Sequence, residues 1–176
     1  MDPLFELTIA WSLAALFAGS TLHKIQALSE WPGVVRNYRL MPDAFGGVAS
    51  WLILCAGALT AGALFFEPTR HMGAIAAALQ LLIFGAAIGI NIGRGRTAID
   101  CGCFGSQLRD GLSRWMVVRN AVLALCAFSL LLPVSPRTLS ALEIAVCAGM
   151  IATLSFLYPV LAVALNEPAA RQAESR

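Results

Sequence analysis

The chain of 176 residues is 59% hydrophobic and 12% charged, with a mean hydropathy of +0.76, where soluble domains run to about 45–50% apolar and about 25% charged. Those proportions exclude a disordered, collagen-like or water-soluble chain and define a polytopic membrane protein with lipid as its surroundings. Eleven Arg and one Lys against ten acids leave a net charge of +2, with no basic block suited to a phosphate backbone, which excludes nucleic acid as a partner.

A spanning helix needs about 20 predominantly apolar residues, and five runs reach or approach that length. The first, 4–22, carries Glu6 and Trp11; it lacks the positive leading region of a secretory signal and is expected to be retained. The second, 46–66, contains no charge before its end. The third, 72–93, carries Gln80 and Asn91, and its Gly85, Gly89 and Gly93 repeat the GxxxG spacing that lets helix backbones approach in lipid, either inside a bundle or between two copies. The fourth, 115–134, has Arg119 and Asn120 in its first turns. The fifth, 141–165, begins near Glu143 and holds Pro159 late, where a missing backbone donor loosens a helix. The expected fold is therefore an all-α bundle of about five transmembrane helices, a single integral membrane domain over residues 1–176.

The connections at 67–71 and 135–138 are short and contain Pro, as tight surface turns do. The longer connections, 23–45 and 94–114, fall on one face together with the C-terminal tail if the spans are odd in number. Long loops on a rigid scaffold are where function usually sits.

The second long loop holds Cys101-Gly102-Cys103-Phe104-Gly105. In an extended chain, Cα atoms two residues apart stand about 6.6–7.2 Å from each other, at or beyond the upper edge of disulfide geometry. Gly102 supplies the freedom to bend. A strained disulfide is readily reduced, which suits a catalytic or regulatory pair. A structural clasp, two free thiols and a Cu(I) site are the competing readings. No other Cys or His stands at metal-ligand spacing from the pair, so no metal is expected. Arg94, Arg96 and Arg109 flank the motif and favour the thiolate, while Asp100 opposes it. Cys55, Cys126 and Cys147 lie within apolar runs and read as small hydrophobes; an intramembrane electron relay would need two of them in contact. His23 and Lys24 close the first run. A Lys there ordinarily snorkels to the interface, and Tyr38 suits the aromatic belt; alternatively His23 serves as proton donor or acceptor near the cysteine loop.

The His23-Lys24 pair, the Tyr38-Arg39-Leu40-Met41-Pro42 stretch and the Cys101–Gly105 motif together resemble the methylamine utilisation protein MauE family over nearly the whole chain. That resemblance implies a multi-pass protein of the bacterial inner membrane that matures methylamine dehydrogenase, whose disulfide-rich small subunit is exported to the periplasm. It also implies a membrane-anchored, thioredoxin-like partner of the MauD type. The layout is similar to the vitamin K epoxide reductase-like bundle, a four-helix core here joined by one more helix, and implies quinone as electron acceptor. Cys101 and Cys103 would then be the redox pair, supported by His23, Lys24, Asp100, Phe104 and Gly105. Two departures stand out: the reductase-like group uses CxxC where this chain has CxC, and residues 23–45 lack the second, shuttling cysteine pair. A partner's dithiol would fill that gap.

The orientation signals conflict. The face with the long loops and tail holds Lys24, Arg36, Arg39, Arg94, Arg96, Arg109, Arg114, Arg119, Arg171 and Arg176, against Arg70 and Arg137 on the other. The positive-inside rule places the cysteine loop in the cytoplasm. Disulfide chemistry and the resemblance place it in the periplasm, and the periplasmic side is the expectation adopted.

Overall fold

The first helix begins where the sequence supplies both an acceptor and a preset backbone angle. Asp2 accepts the Leu4 N–H at 2.8 Å, and Pro3 occupies the first helical position, where its missing N–H costs nothing. In a computed structural model that describes residues 1–97, 112–135 and 137–153, this helix, α1 (Pro3–Gln26), runs for 24 residues, about 36 Å at 1.5 Å per residue. It continues past the expected run by one turn and carries His23 and Lys24 within the helix. A short α2 (Trp31–Asn37) and a 3₁₀ turn (Asp43–Phe45) lead into α3 (Gly46–Phe65). A second 3₁₀ turn (Glu67–Thr69) reverses the chain into α4 (Arg70–Gly93). After the loop come α5 (Arg114–Ser129) and α6 (Ala141–Thr153).

Among the described residues every regular element is helical, and α1, α3 and α4 are long and apolar enough to cross a membrane. The fourth expected run, 115–134, is helical only to Ser129. Pro133 explains the early stop, because it has no N–H to continue the ladder and disfavours helical backbone at Leu132. The 16 residues of α5 rise about 24 Å, less than the ~30 Å hydrocarbon core. At α6, Ser140 and Glu143 form a reciprocal capping box: Glu143 N–H donates to Ser140 Oγ at 3.3 Å and Ser140 N–H to Glu143 Oε2 at 2.8 Å. Pro159 and the rest of the fifth run lie outside the described residues.

The core is built from small side chains. Ala10, Leu13, Ala14 and Phe17 of α1 pack with Leu64 of α3, Ala74, Ala77, Ala78 and Leu81 of α4, and Ala124 and Ala127 of α5. Alanine at these positions lets backbones approach, the way helices associate in lipid. Large apolar side chains point outward instead: Leu59 is 74% exposed, Leu125 68% and Leu142 75%, an inversion expected when hydrocarbon rather than water surrounds the bundle. Of the glycine stripe on α4, Gly85 meets Asn120 of α5, where an added Cβ would stand 3.4 Å from the Asn120 Cβ, whereas Gly89 and Gly93 face open space. A close approach to a neighbouring helix backbone lies elsewhere on α4, at Gly73, where a Cβ would meet the Leu64 backbone nitrogen at 2.7 Å.

Polar ties join the helices one pair at a time. Arg70 of α4 forms a buried ion pair with Glu6 of α1 at 2.9 Å, and Gln80 of α4 donates to Thr60 Oγ1 of α3 at 2.6 Å. The Thr8 hydroxyl of α1 donates to Leu4 O, and its oxygen lies 2.8 Å from Cys147 Sγ of α6. Two faces result. The turn face gathers the N-terminus, the 67–69 turn and residues 130–135 and 137–140. The loop face gathers the end of α1, α2, the end of α4 and the start of α5.

Candidate functional site

The site is framed by the root of the second long loop. Helix α4 ends in a reciprocal cap: Gly95, at φ +71°, donates its N–H to Ile92 O at 3.0 Å, and the Arg96 N–H reaches Asn91 O at 2.9 Å, the pairing glycine makes possible at a helix C-terminus. One residue later the Leu112 N–H donates to Thr97 O at 2.7 Å. The chain thus leaves and re-enters the bundle at one point. The Ser113 hydroxyl then accepts the Trp115 N–H at 3.3 Å and starts α5.

Two arginines tie this root to the first long loop. Arg96 Nη2 donates to Asn37 O at 3.1 Å and its Nη1 to Asn91 Oδ1 at 3.5 Å. Arg94 Nη1 donates to Arg39 O at 3.4 Å. Both carbonyl acceptors lie at the C-terminal end of α2, where unsatisfied carbonyls and the helix dipole favour cations. Tyr38 between them packs against the buried pair Ile88 and Leu112, as do Ile92, Met116 and Val117, so it forms part of the joint between the two loops. Helix α2 is in turn fixed to α3 by the Trp31 indole, which donates to Ser50 O at 3.0 Å. In sequence Arg94 and Arg96, with Arg109, read as flanking cations that favour a thiolate against the opposing Asp100; in the structure the Arg94 and Arg96 guanidinium groups also serve as struts. The clue was present in the sequence as an Arg-Gly-Arg cluster directly after a helix ending in glycine.

Of the expected site residues, His23 and Lys24 lie on the last turn of α1, on the loop face. His23 is exposed. Lys24 does not snorkel: it is only 8% exposed, because its ammonium donates to Ser20 Oγ and Ser20 O and stands 5.1 Å from the Trp31 ring centroid. Asp100, Cys101, Cys103, Phe104 and Gly105 lie outside the described residues. The remaining cysteines are free, with Cys147 buried, Cys126 intermediate and Cys55 exposed on α3, so Cys55 meets lipid rather than the core. Among the described residues no cluster of three His, Cys, Asp or Glu stands close enough to hold a metal. The Asn120 side-chain nitrogen, on a residue 4% exposed, has no hydrogen-bond acceptor. On the opposite face Arg137 bridges Glu143 and Asp2 at 2.9 and 3.3 Å, and the hydrogen bond to Glu143, with the Asp2 charge, raises its pKa further above the ordinary range.

Comparison with known proteins places the chain among relatives. The family described as methylamine utilisation protein MauE matches residues 2–133. A methylamine utilization protein MauE of Paracoccus denitrificans is 37% identical over 163 residues, covering 89% of this chain and 88% of that protein. A MauE of Paracoccus versutus is 39% identical over 158 residues, 88% of this chain and 85% of that one. The Methylorubrum extorquens MauE is 42% identical over 141 residues, 77% of this chain and 74% of that one. No solved structure matches the chain.

Proposed function

The chain belongs to the MauE family of methylamine utilisation proteins, and on that premise we propose that it is a membrane thiol–disulfide redox protein that supports disulfide formation during methylamine dehydrogenase maturation. In this reading five helices cross the bacterial inner membrane, α5 and α6 joining the three long ones around a reductase-like core, and the loop face is periplasmic. The Cys101–Cys103 disulfide accepts a thiolate from a thioredoxin-like, MauD-type partner, forming a mixed disulfide and releasing one loop thiolate. The partner's second thiolate then displaces the other loop cysteine. The partner leaves oxidised, and the pair holds the two electrons and takes up two protons. Quinone, when bound, supplies the two-electron acceptor that returns the pair to the disulfide.

The observation that carries the reading is the pinned loop root. The cysteine motif lies between Thr97 and Leu112, whose backbones are hydrogen bonded, and Arg94 and Arg96 brace that point against α2. A small ring that must be attacked and re-formed repeatedly benefits from anchors that do not move. Asn120, two turns into α5 with an unused amide donor, has the chemistry to hold a quinone carbonyl.

Replacement of both Cys101 and Cys103 by Ser is expected to abolish maturation, measured as active methylamine dehydrogenase in cells. Cys55→Ala, Cys126→Ala and Cys147→Ala are expected to be tolerated, since thiols embedded in helices pack rather than exchange. Maturation that survives the double Ser variant would assign the loop a scaffolding role.

A further inference from the structure

All three ion pairs among the described residues lie on the turn face: Arg70–Glu6, Arg137–Asp2 and Arg137–Glu143. The loop face is different. Arg36, Arg39, Arg94, Arg96 and Arg114 form no ion pair with any described carboxylate, and neither do the loop-face acids Glu30 and Asp43. Where these arginines use their donors, as Arg94, Arg96 and Arg36 do, the acceptors are carbonyl or amide oxygens. Such bonds fix the side chain, and among the described residues they leave its charge without a carboxylate partner.

We propose that Arg39, Arg94 and Arg114 form a cationic rim around the loop root on which the carboxylates of a dithiol-bearing partner protein dock, an inference that rests on the redox reading above. The backbone brings the three together: Arg94 reaches Arg39 O, and the Thr97–Leu112 bond sets the start of α5 beside the end of α4. Two of them occupy positions that stability alone disfavours. Arg114 opens α5, where the helix dipole is already positive and no acid stands in the first turn. Arg39 has φ 45°, a left-handed backbone that bulky residues rarely adopt. Exposed Leu40 and Met41 follow Arg39 directly and add apolar area beside the charge, with a thioether that adapts to partner surfaces. A protein fits better than a lipid headgroup, because residues 23–45 hold no cysteine and the second dithiol must arrive from outside the chain. Charge of one sign at such a rim accelerates encounter and selects partners more than it adds affinity.

The test uses the full chain with Cys55, Cys126 and Cys147 replaced by Ala, oxidised and reconstituted in phosphatidylcholine nanodiscs. Reduction of the loop pair by dianionic dimercaptosuccinate and by neutral dithiothreitol is followed by maleimide mass-tagging, each rate normalised to that on hydroxyethyl disulfide. The rim predicts about a tenfold preference for the dianion at low salt, collapsing towards parity near 1 M, where the screening length is about 3 Å. Arg39→Gln with Arg114→Gln should remove most of the preference, and Arg137→Gln on the turn face should keep it; the ratio is internal to each sample and insensitive to the folded fraction. Equal normalised rates in the unsubstituted protein, or an unchanged preference in the double Gln variant, would overturn the rim. A preference abolished by phosphatidylglycerol in the disc would make the arginines a lipid headgroup site and overturn docking. If neither dithiol reduces the pair, the redox reading fails and the rim fails with it.

Discussion

At the scale of single residues, the positions that depart from sequence expectation are those whose polar groups find partners inside the bundle. Lys24 reads in sequence as an interfacial lysine, because nothing local announces that Trp31, seven residues on, turns its ring under the ammonium. Burial of that stem and the cation–aromatic contact predict that Lys24→Met lowers the thermal midpoint in detergent, by the equivalent of about 1–2 kcal/mol. A midpoint unchanged from that of the parent protein would show that the ammonium contributes nothing to the α1–α2 joint. Cys147 was legible as a buried thiol, but its contact with Thr8, across 139 positions of sequence, was not. Arg94 and Arg96 were legible as cations near the cysteines. Their attachment to Asn37 and Arg39 carbonyls depends on α2, which the sequence does not advertise.

At the scale of elements, the long apolar runs were readable because length and absence of charge suffice in a bilayer. Helix α2 was not: seven residues containing Pro32 and Gly33 are too few to establish a 3.6-residue period, and only the buried Trp31 and Val35 reveal its inner side. The stop of α5 at Ser129 was hidden within an apolar run that continues through Leu130–Leu132 and obscures the effect of Pro133. Glycine spacing also misdirects. The GxxxG stripe draws attention to Gly89, which faces open space, while the unremarked Gly73 touches the α3 backbone. Gly73→Ala is therefore expected to push apart the α3–α4 hairpin and cost about 1–3 kcal/mol. Gly89→Ala is expected to be neutral or to stabilise by up to about 1 kcal/mol through helix propensity. Thermal unfolding of the two variants side by side checks the ranking, and the reverse order would contradict the packing described for α4.

At the scale of the whole molecule, the two faces differ in how charge is handled. Arg70 and Arg137 are paired with acids on the turn face, whereas Arg36, Arg39, Arg94, Arg96 and Arg114 on the loop face pair with no described carboxylate, which sharpens the conflict between the positive-inside rule and a periplasmic loop. Arg94 and Arg96 have a structural use on that face, since they tie the end of α4 to the Asn37 and Arg39 carbonyls. A membrane-impermeant maleimide applied to intact spheroplasts after reduction should label Cys101 or Cys103 if the loop face is periplasmic. Labelling only after permeabilisation would place the loop in the cytoplasm and remove the proposed periplasmic exchange. The central claim, that the pair exchanges disulfides with a partner, is tested most directly by trapping. The resolving cysteine must complete each exchange, so either Cys101→Ser or Cys103→Ser, but not both, should accumulate a covalent adduct with a thioredoxin-like protein, seen on a non-reducing gel as a band that collapses with reductant. The absence of any such band in both single variants, with the partner co-expressed and its own dithiol intact, would contradict the account.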